Sequence, residues 1–327
     1  MLLLSKKDIK EVFTMRDAIE ANKEAFKIYT EGKSTVPLRT TIPATKQEGT
    51  MLFMPGYIEN LDCAAVKIVS VFPRNEEKGK PVTPATVLLL DGTTGEVCSI
   101  LDGTYVTQLR TGAASGAALD ILAIKNAKKG ALIGTGGQAS AQLEAMIESR
   151  NLEEVYIYDI DIEKTKKFVS QMNQELSNYN TKFNVAKTSD EAIENADVII
   201  TVTTAKKPVF DGNKVKKGAT ISAVGSYLPT MQELDPAVLT RASKIFFEST
   251  DAVLAESGDI LTPLADGIIS NDDFNGELGQ VINNEIAGRE NDEEIIVFKT
   301  VGIAVQDVVT AKKIYDNALK RNIGINW

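Results

Sequence analysis

A chain of 327 residues with 43% hydrophobic content can bury a large core, and its length suggests two domains. The formal net charge of −9 argues against nucleic acid or an anionic membrane as the main partner. There is no histidine, which excludes Ser-His-Asp and Cys-His catalysis, histidine-ligated zinc and a histidine proton shuttle, and leaves proton transfer to lysine, carboxylate, tyrosine or water.

The start, MLLLSKKD, is too short and too soon charged for a signal peptide. No apolar run reaches the ~18 residues of a membrane span, so a cytoplasmic protein is expected. Thr14-Met15-Arg16-Asp17 reads as a capping box that opens a helix with Ala18, Ala21, Ala25 and Ile28 on one face, stopping near Gly32. From Pro37 to Leu101 the texture is strand-like: LRTTIP, TMLFMP, CAAVKIVSVF, ATVLLL and EVCSIL. Residues 74–81 form a polar loop, and Asp91–Gly95 is a hairpin signal. Cys63 and Cys98 lie in these apolar runs, are not spaced as a metal pair, and are expected to be reduced core residues; no metal site is expected. Thr104 to about Ala123 reads as a helix whose Ala and Gly residues suit close packing or a ligand.

From Lys129 onward β and α segments alternate: ALIG, an Ala/Gln-rich helix, VYIYD, a charged helix, FNVA, another helix, then DVIITVT, ATISAVG and KIFFES. That alternation predicts a Rossmann-type, doubly wound parallel sheet. Residues 276–290 look helical or loop-like, EEIIVFKTVG supplies a last strand, and Ala304–Lys320 is a helix with Val305, Val308, Val309 and Ile314 on one face.

Gly134-Thr135-Gly136-Gly137-Gln138-Ala139 has the context a dinucleotide loop requires, with a buried strand before it and a helix after it. Gly134 makes the tight turn, Gly136 leaves room for a pyrophosphate on the helix N-terminus, and Ala139 needs only to allow close packing. Asp159 ends the following strand, near the acidic position that the fingerprint places ~20 residues on. There it can accept from ribose hydroxyls, and Ile160-Asp161 offer no arginine for a 2′-phosphate, so NAD(H) is favoured over NADP(H). Asp159 could also cap the next helix.

In these segments the chain resembles the ornithine cyclodeaminase/μ-crystallin family: Leu52-Phe53-Met54-Pro55, Ala65-Val66-Lys67, Gln108–Ala113, Gly134–Ala139, Asn195–Val198, Val224-Gly225-Ser226 and Phe298–Gly302. The resemblance implies a homodimer. Residues 1–120 and 304–327 would form an α+β substrate and dimerisation domain, and 121–303 the Rossmann NAD(P)-binding domain. It implies a small α-amino or α-imino acid substrate, with Arg39, Lys67 and Arg110 around its carboxylate. Guanidinium groups suit that task. Lys67 sits in an apolar run where burial lowers a lysine pKa, and is the leading group to position or protonate the reacting nitrogen. An outward-pointing Lys67 or a solvated Arg39 would be the ordinary alternatives. By family position Thr111, Thr201, Thr203, Val224 and Val301 contact the cofactor.

Two departures bear on the reaction. Leu52 and Tyr227 stand where the cyclodeaminases carry acids that hold and deprotonate a diamine. The expected function is therefore an NAD(P)H-dependent ketimine reductase, taking Δ1-pyrroline-2-carboxylate to proline, with Tyr227 as a hydrogen-bond donor or pocket wall. Ornithine cyclodeaminase, alanine dehydrogenase and a non-catalytic dinucleotide-binding protein are the alternatives.

Overall fold

The computed structural model describes residues 1–327, the side chain of residue 76 excepted. By their contacts the residues form two compact units, Met1–Arg110 with Gly302–Trp327, and Thr111–Val301. Among the described residues no helix is long and apolar enough to cross a membrane.

The first unit contains β1 (Leu2–Leu4), α1 (Lys6–Val12), α2 (Met15–Thr30), β2 (Ser34–Thr35), β3 (Thr40–Ala44), β4 (Gly49–Ile58), β5 (Cys63–Val71), β6 (Ala85–Asp91), β7 (Val97–Asp102) and the start of α3 (Gly103–Leu122). The box at Thr14 is formed: its hydroxyl accepts from the Asp17 N–H and the Asp17 carboxylate accepts from the Thr14 N–H at 2.9 Å. The sheet runs β16-β1-β7-β6-β5-β4-β2, with β3 also on β4, where β16 is Ile325–Asn326; only β1–β7 is parallel. Period-two alternation gives it two faces. One register row, Leu4, Leu101, Val87, Lys67 and Met54, is wholly buried. The adjacent row, Leu3, Ile100, Leu88, Val66 and Pro55, is equally apolar yet only partly covered.

The second unit contains β8 (Lys129–Ile133), α4 (Ala139–Ser149), β9 (Glu154–Tyr158), α5 (Ile162–Glu175), β10 (Lys182–Val185), α6 (Ser189–Ile193), β11 (Val198–Thr201), β12 (Thr220–Ala223), α7 (Pro236–Arg241), β13 (Lys244–Phe247), α8 (Thr250–Glu256), α9 (Gly258–Ala265), β14 (Gly276–Glu277), α10 (Leu278–Ile282) and β15 (Ile296–Lys299). Every pair in the order β10-β9-β8-β11-β12-β15-β13-β14 is parallel, as the alternation predicts. Its central strands β11, β12 and β15 are short and buried at every residue, as a sheet covered on both faces demands. The last strand of this unit in sequence, β15, is inserted between β12 and β13. The small residues of α3 serve close packing: a Cβ at Gly112 would stand 2.4 Å from the Ala141 carbonyl oxygen of α4. The Ser115 and Ser222 hydroxyls share a hydrogen bond of 2.8 Å.

The chain then returns to the first unit through α11 (Ala304–Arg321), whose Val305, Val308, Val309 and Ile314 are buried as the periodicity predicts. Sequence reading assigns nothing to β1 and α1, and it gives residues 276–290 no strand. β14 and β16 have two residues each, too few to carry a period.

Candidate active site

In the first unit the alternation of β5 turns Lys67 inward with Cys63, Ala65 and Val69, so its side chain is 1% exposed and does not point to solvent. A buried ammonium requires a partner. It donates to Asp307 Oδ2 of α11 at 2.7 Å, and Arg110 of α3 donates from Nε to Asp307 Oδ1 at 3.2 Å. Arg110 Nη1 also reaches Gln306 Oε1 at 3.0 Å, and Gln306 Nε2 donates to Asn22 Oδ1 of α2 at 2.9 Å. Four elements thus meet in one buried polar chain. Burial pushes the Lys67 ammonium down to about 7; the Arg110 charge acts in the same direction, Asp307 opposes it, and Arg39 adds a smaller push downward.

Arg39 is half-buried and donates from Nη2 to the Gly302 carbonyl at 3.0 Å. Gly302 has φ +86°, and a Cβ there would lie 2.4 Å from Arg110 Nη1, so glycine at this position gives the guanidinium its place. With Nε and one Nη1 hydrogen committed, the remaining Nη hydrogens of Arg110 offer the paired geometry that a carboxylate accepts. Leu52 and Met54 on β4 cluster with Val69 and Ala304, so the ground beside Lys67 is apolar.

Sequence reasoning missed Asp307 and Gln306. A signal was present: Asp307 falls on the helical stripe of Ala304, Val308, Ala311 and Ile314, and a carboxylate on a buried stripe calls for a partner.

In the second unit the loop Gly134–Gln138 joins β8 to α4, and Ala139 opens the helix fully buried. Gly134 has φ +106°, as the turn requires. A Cβ at Gly136 or Gly137 would meet no protein atom within 4 Å, so these glycines keep space open rather than relieve a protein contact. No side chain caps α4 at Gln138, so its first turn is left for an anion. Asp159 Oδ2 accepts from the Thr135 N–H and hydroxyl, both at 2.8 Å, and Oδ1 from the Asp161 N–H at 3.2 Å. Burial acts to raise its pKa, but these donors hold it below the ordinary carboxylate value. The cap of α5 is Asp161, which accepts from the Glu163 and Lys164 N–H groups, so Asp159 does not serve as the cap. Loop, uncapped helix and carboxylate fit a dinucleotide.

The ends of β11 and β12 carry Thr201, Thr203 and Val224. Thr201 is buried and its hydroxyl donates to Glu233 at 3.1 Å; the Thr203 N–H donates to the same carboxylate at 2.5 Å and the Gly225 N–H at 2.6 Å. Glu233 is held above the ordinary carboxylate range, first by burial and then by Asp259. Asp259 accepts from the Glu233 and Leu234 N–H groups and pairs with Lys299 at 3.1 Å. The Val301 N–H and Thr300 hydroxyl donate to buried Glu248. Tyr227 is half-buried just beyond Ser226, and Thr111 is half-buried, its carbonyl accepting from Gln142 Nε2 at 3.0 Å. Sequence reasoning also missed Glu233, Asp259 and Glu248.

The family model of the ornithine cyclodeaminase/mu-crystallin family matches residues 1–322. The chain belongs to this family. Among its members, a Δ1-pyrroline-2-carboxylate reductase of Bacillus cereus is 40% identical over 324 residues, covering 99% of this chain and 98% of that protein. The structure of the Thermococcus litoralis Δ1-pyrroline-2-carboxylate reductase, solved with NADH and L-proline, is similar with a TM-score of 0.95 at 39% identity, covering all of both chains. An archaeal alanine dehydrogenase, solved as a dimer with bound NAD, has a TM-score of 0.91 at 35% identity over 99% of this chain and 98% of its own.

Proposed function

We infer that the chain is an NAD(P)H-dependent oxidoreductase of C=N bonds, a ketimine reductase that converts a cyclic α-imino acid such as Δ1-pyrroline-2-carboxylate to the amino acid, here proline. The observation that carries it is the pairing of Lys67 and Arg110 with the single carboxylate of Asp307 beside an apolar patch, with the Arg39 charge acting on the same lysine. A small substrate with one carboxylate and an apolar ring matches that balance. The full-length likeness to reductases of this substrate supports the same reaction.

Arg110 and Arg39 hold the carboxylate. A nicotinamide cofactor, when bound, would supply the hydride for the C=N carbon. Lys67 donates a proton to the nitrogen, so one C–H and one N–H bond form as the C=N π bond is lost, and neutral Lys67 regains its proton from water. Ornithine fits less well, because Leu52 offers no acceptor for a second ammonium, and Tyr227 stands where a carboxylate base would be needed. Thr111, Thr201, Thr203, Val224 and Val301 are assigned to the cofactor in this proposal.

Asp159, with Ile160 exposed beside it and no arginine following, favours NAD(H) over NADP(H). The part-covered row Leu3, Ile100, Leu88, Val66 and Pro55 favours a homodimer, since monomers rarely leave a broad apolar sheet face uncovered. Two free cysteines, with burial raising the Cys63 thiol to about 11, suit a reducing cytoplasm.

Purified protein assayed in three mixtures decides the reaction: cyclic imine with NADH, pyruvate and ammonium with NADH, and ornithine with NAD. Turnover should be fastest in the first. Proline and ammonia from ornithine with no NADH oxidation by the imine, or faster turnover of pyruvate, would sink the proposal. Leu88→Glu should turn dimers into monomers in sedimentation; an unchanged mass would rule out that face as the interface.

A further inference from the structure

We propose that Asp307 is the positioning residue of the substrate cluster: its carboxylate, bound to Lys67 through one oxygen and to Arg110 through the other, sets the charge and aim of the lysine that protonates the substrate nitrogen. This rests on the proposed role of Lys67.

The geometry gives Asp307 that office. It is 1% exposed, and its two oxygens divide between the two cations, Oδ2 to Lys67 Nζ at 2.7 Å and Oδ1 to Arg110 Nε at 3.2 Å. Lys67 keeps hydrogens for a substrate after that bond, since an ammonium has three. The charged groups acting on Lys67 are Arg110 from α3, Arg39 from the segment before β3, and Asp307 from α11. Two of these three groups are cations. Asp307 alone favours the protonated lysine, so without it burial and two guanidinium groups would all drive Lys67 toward the neutral amine.

Neighbouring residues fix the carboxylate. Asp307 lies in the first turn of α11, where the helix N-terminus favours a negative charge. Gln306 holds Arg110 Nη1 and is itself held by Asn22, so the guanidinium cannot swing away from Oδ1 without breaking a buried chain. Asp307 touches no reacting atom in this scheme and acts through Lys67 and Arg110.

The test is the pH profile of kcat/KM for the cyclic imine with NADH. A protonated lysine is lost as pH rises, so the wild-type profile should fall above about 7. Asp307→Asn keeps the shape and removes the charge. Its falling limb should move to lower pH, so that activity near pH 8 drops about 10–100-fold while the loss narrows in acid. Asp307→Glu restores the charge and should bring the limb back toward the wild-type position. A limb that Asp307→Asn leaves in place overturns the proposal, even if that protein melts earlier. Wild-type protein labelled with carbon-13 at aspartate carboxylates gives a second readout that needs no variant to fold. The Asp307 signal should shift with the same apparent pKa as the kinetic limb, and a flat signal across it overturns the proposal. Lys67→Met separates the two claims: if it turns over normally, the reading of Lys67 falls and this inference with it. If it is inactive and Asp307→Asn leaves the limb in place, only the role of Asp307 falls.

Discussion

Each unit buries a lysine against an aspartate, and the surroundings of the two pairs differ. In the first unit Lys67 on β5 meets Asp307 on α11, with Arg110 and Arg39 close by. In the second, Lys299 on β15 meets Asp259 on α9, with the second carboxylate of Glu233 next to it. One cluster has surplus positive charge and guanidinium hydrogens still to place. The other has surplus negative charge, but the N–H groups of Thr203, Gly225, Glu233 and Leu234 already point at its oxygens. Buried charge is costly unless compensated. The second cluster is compensated by its own backbone and works as a fastening between strand ends. The first is left with surplus positive charge that, in the proposed function, a substrate carboxylate would offset.

The largest test of that contrast is Lys67→Met, expected to lower kcat/KM about 100–10,000-fold with folding intact. Normal turnover in this variant would mean that the surplus charge serves structure alone. Asp259→Asn should do the reverse: it breaks the fastening and costs about 3 kcal/mol of stability in urea denaturation, while kcat per folded molecule changes little. A large loss of kcat without loss of stability would erase the distinction between the clusters. Arg110→Lys removes the planar fork but keeps the charge. It should raise KM for the imino acid and cost roughly 2 kcal/mol in kcat/KM, about 30-fold, and a variant equal to wild type would show that paired hydrogens are not used. The smallest effect is expected from Asp159→Asn, which should shift the NADH-to-NADPH ratio of kcat/KM roughly tenfold toward NADPH, about 1.4 kcal/mol. An unmoved ratio would place cofactor choice elsewhere.

The same contrast explains what could be read from the chain. The Gly134–Ala139 loop and the β/α alternation are contiguous, and each residue's task follows from its neighbours in sequence. Lys67, Arg110 and Arg39 entered through family resemblance, together with the apolar run around Lys67. The common partner of Lys67 and Arg110 stayed hidden because Asp307 lies 240 residues beyond Lys67 and joins it only when α11 packs on the sheet. Glu233 was hidden for a related reason. Two of its donors, from Thr203 and Gly225, are main-chain N–H groups, which carry no mark in an amino-acid sequence. The short strands β14 and β16 are defined by pairing rather than pattern. Leu52 lies in an apolar cluster with Met54, which pairs with Lys67 across the sheet.

The return of the chain to the first unit at Gly302 orders events during synthesis. The strands that carry Lys67 leave the ribosome long before α11 exists, and the whole of residues 111–301 must be made in between. At ~5–20 residues per second that interval is on the order of 10–40 s. Through it Lys67 and Arg110 lack the carboxylate that permits their burial, so the nascent β4–β7 sheet must keep its lysine in water. The dinucleotide unit has all its strands by Lys299 and can close first. The Lys67–Asp307–Arg110 cluster is therefore completed only after every strand of the second unit has been made, and shortening the chain before α11 should leave Lys67 and Arg110 without their carboxylate.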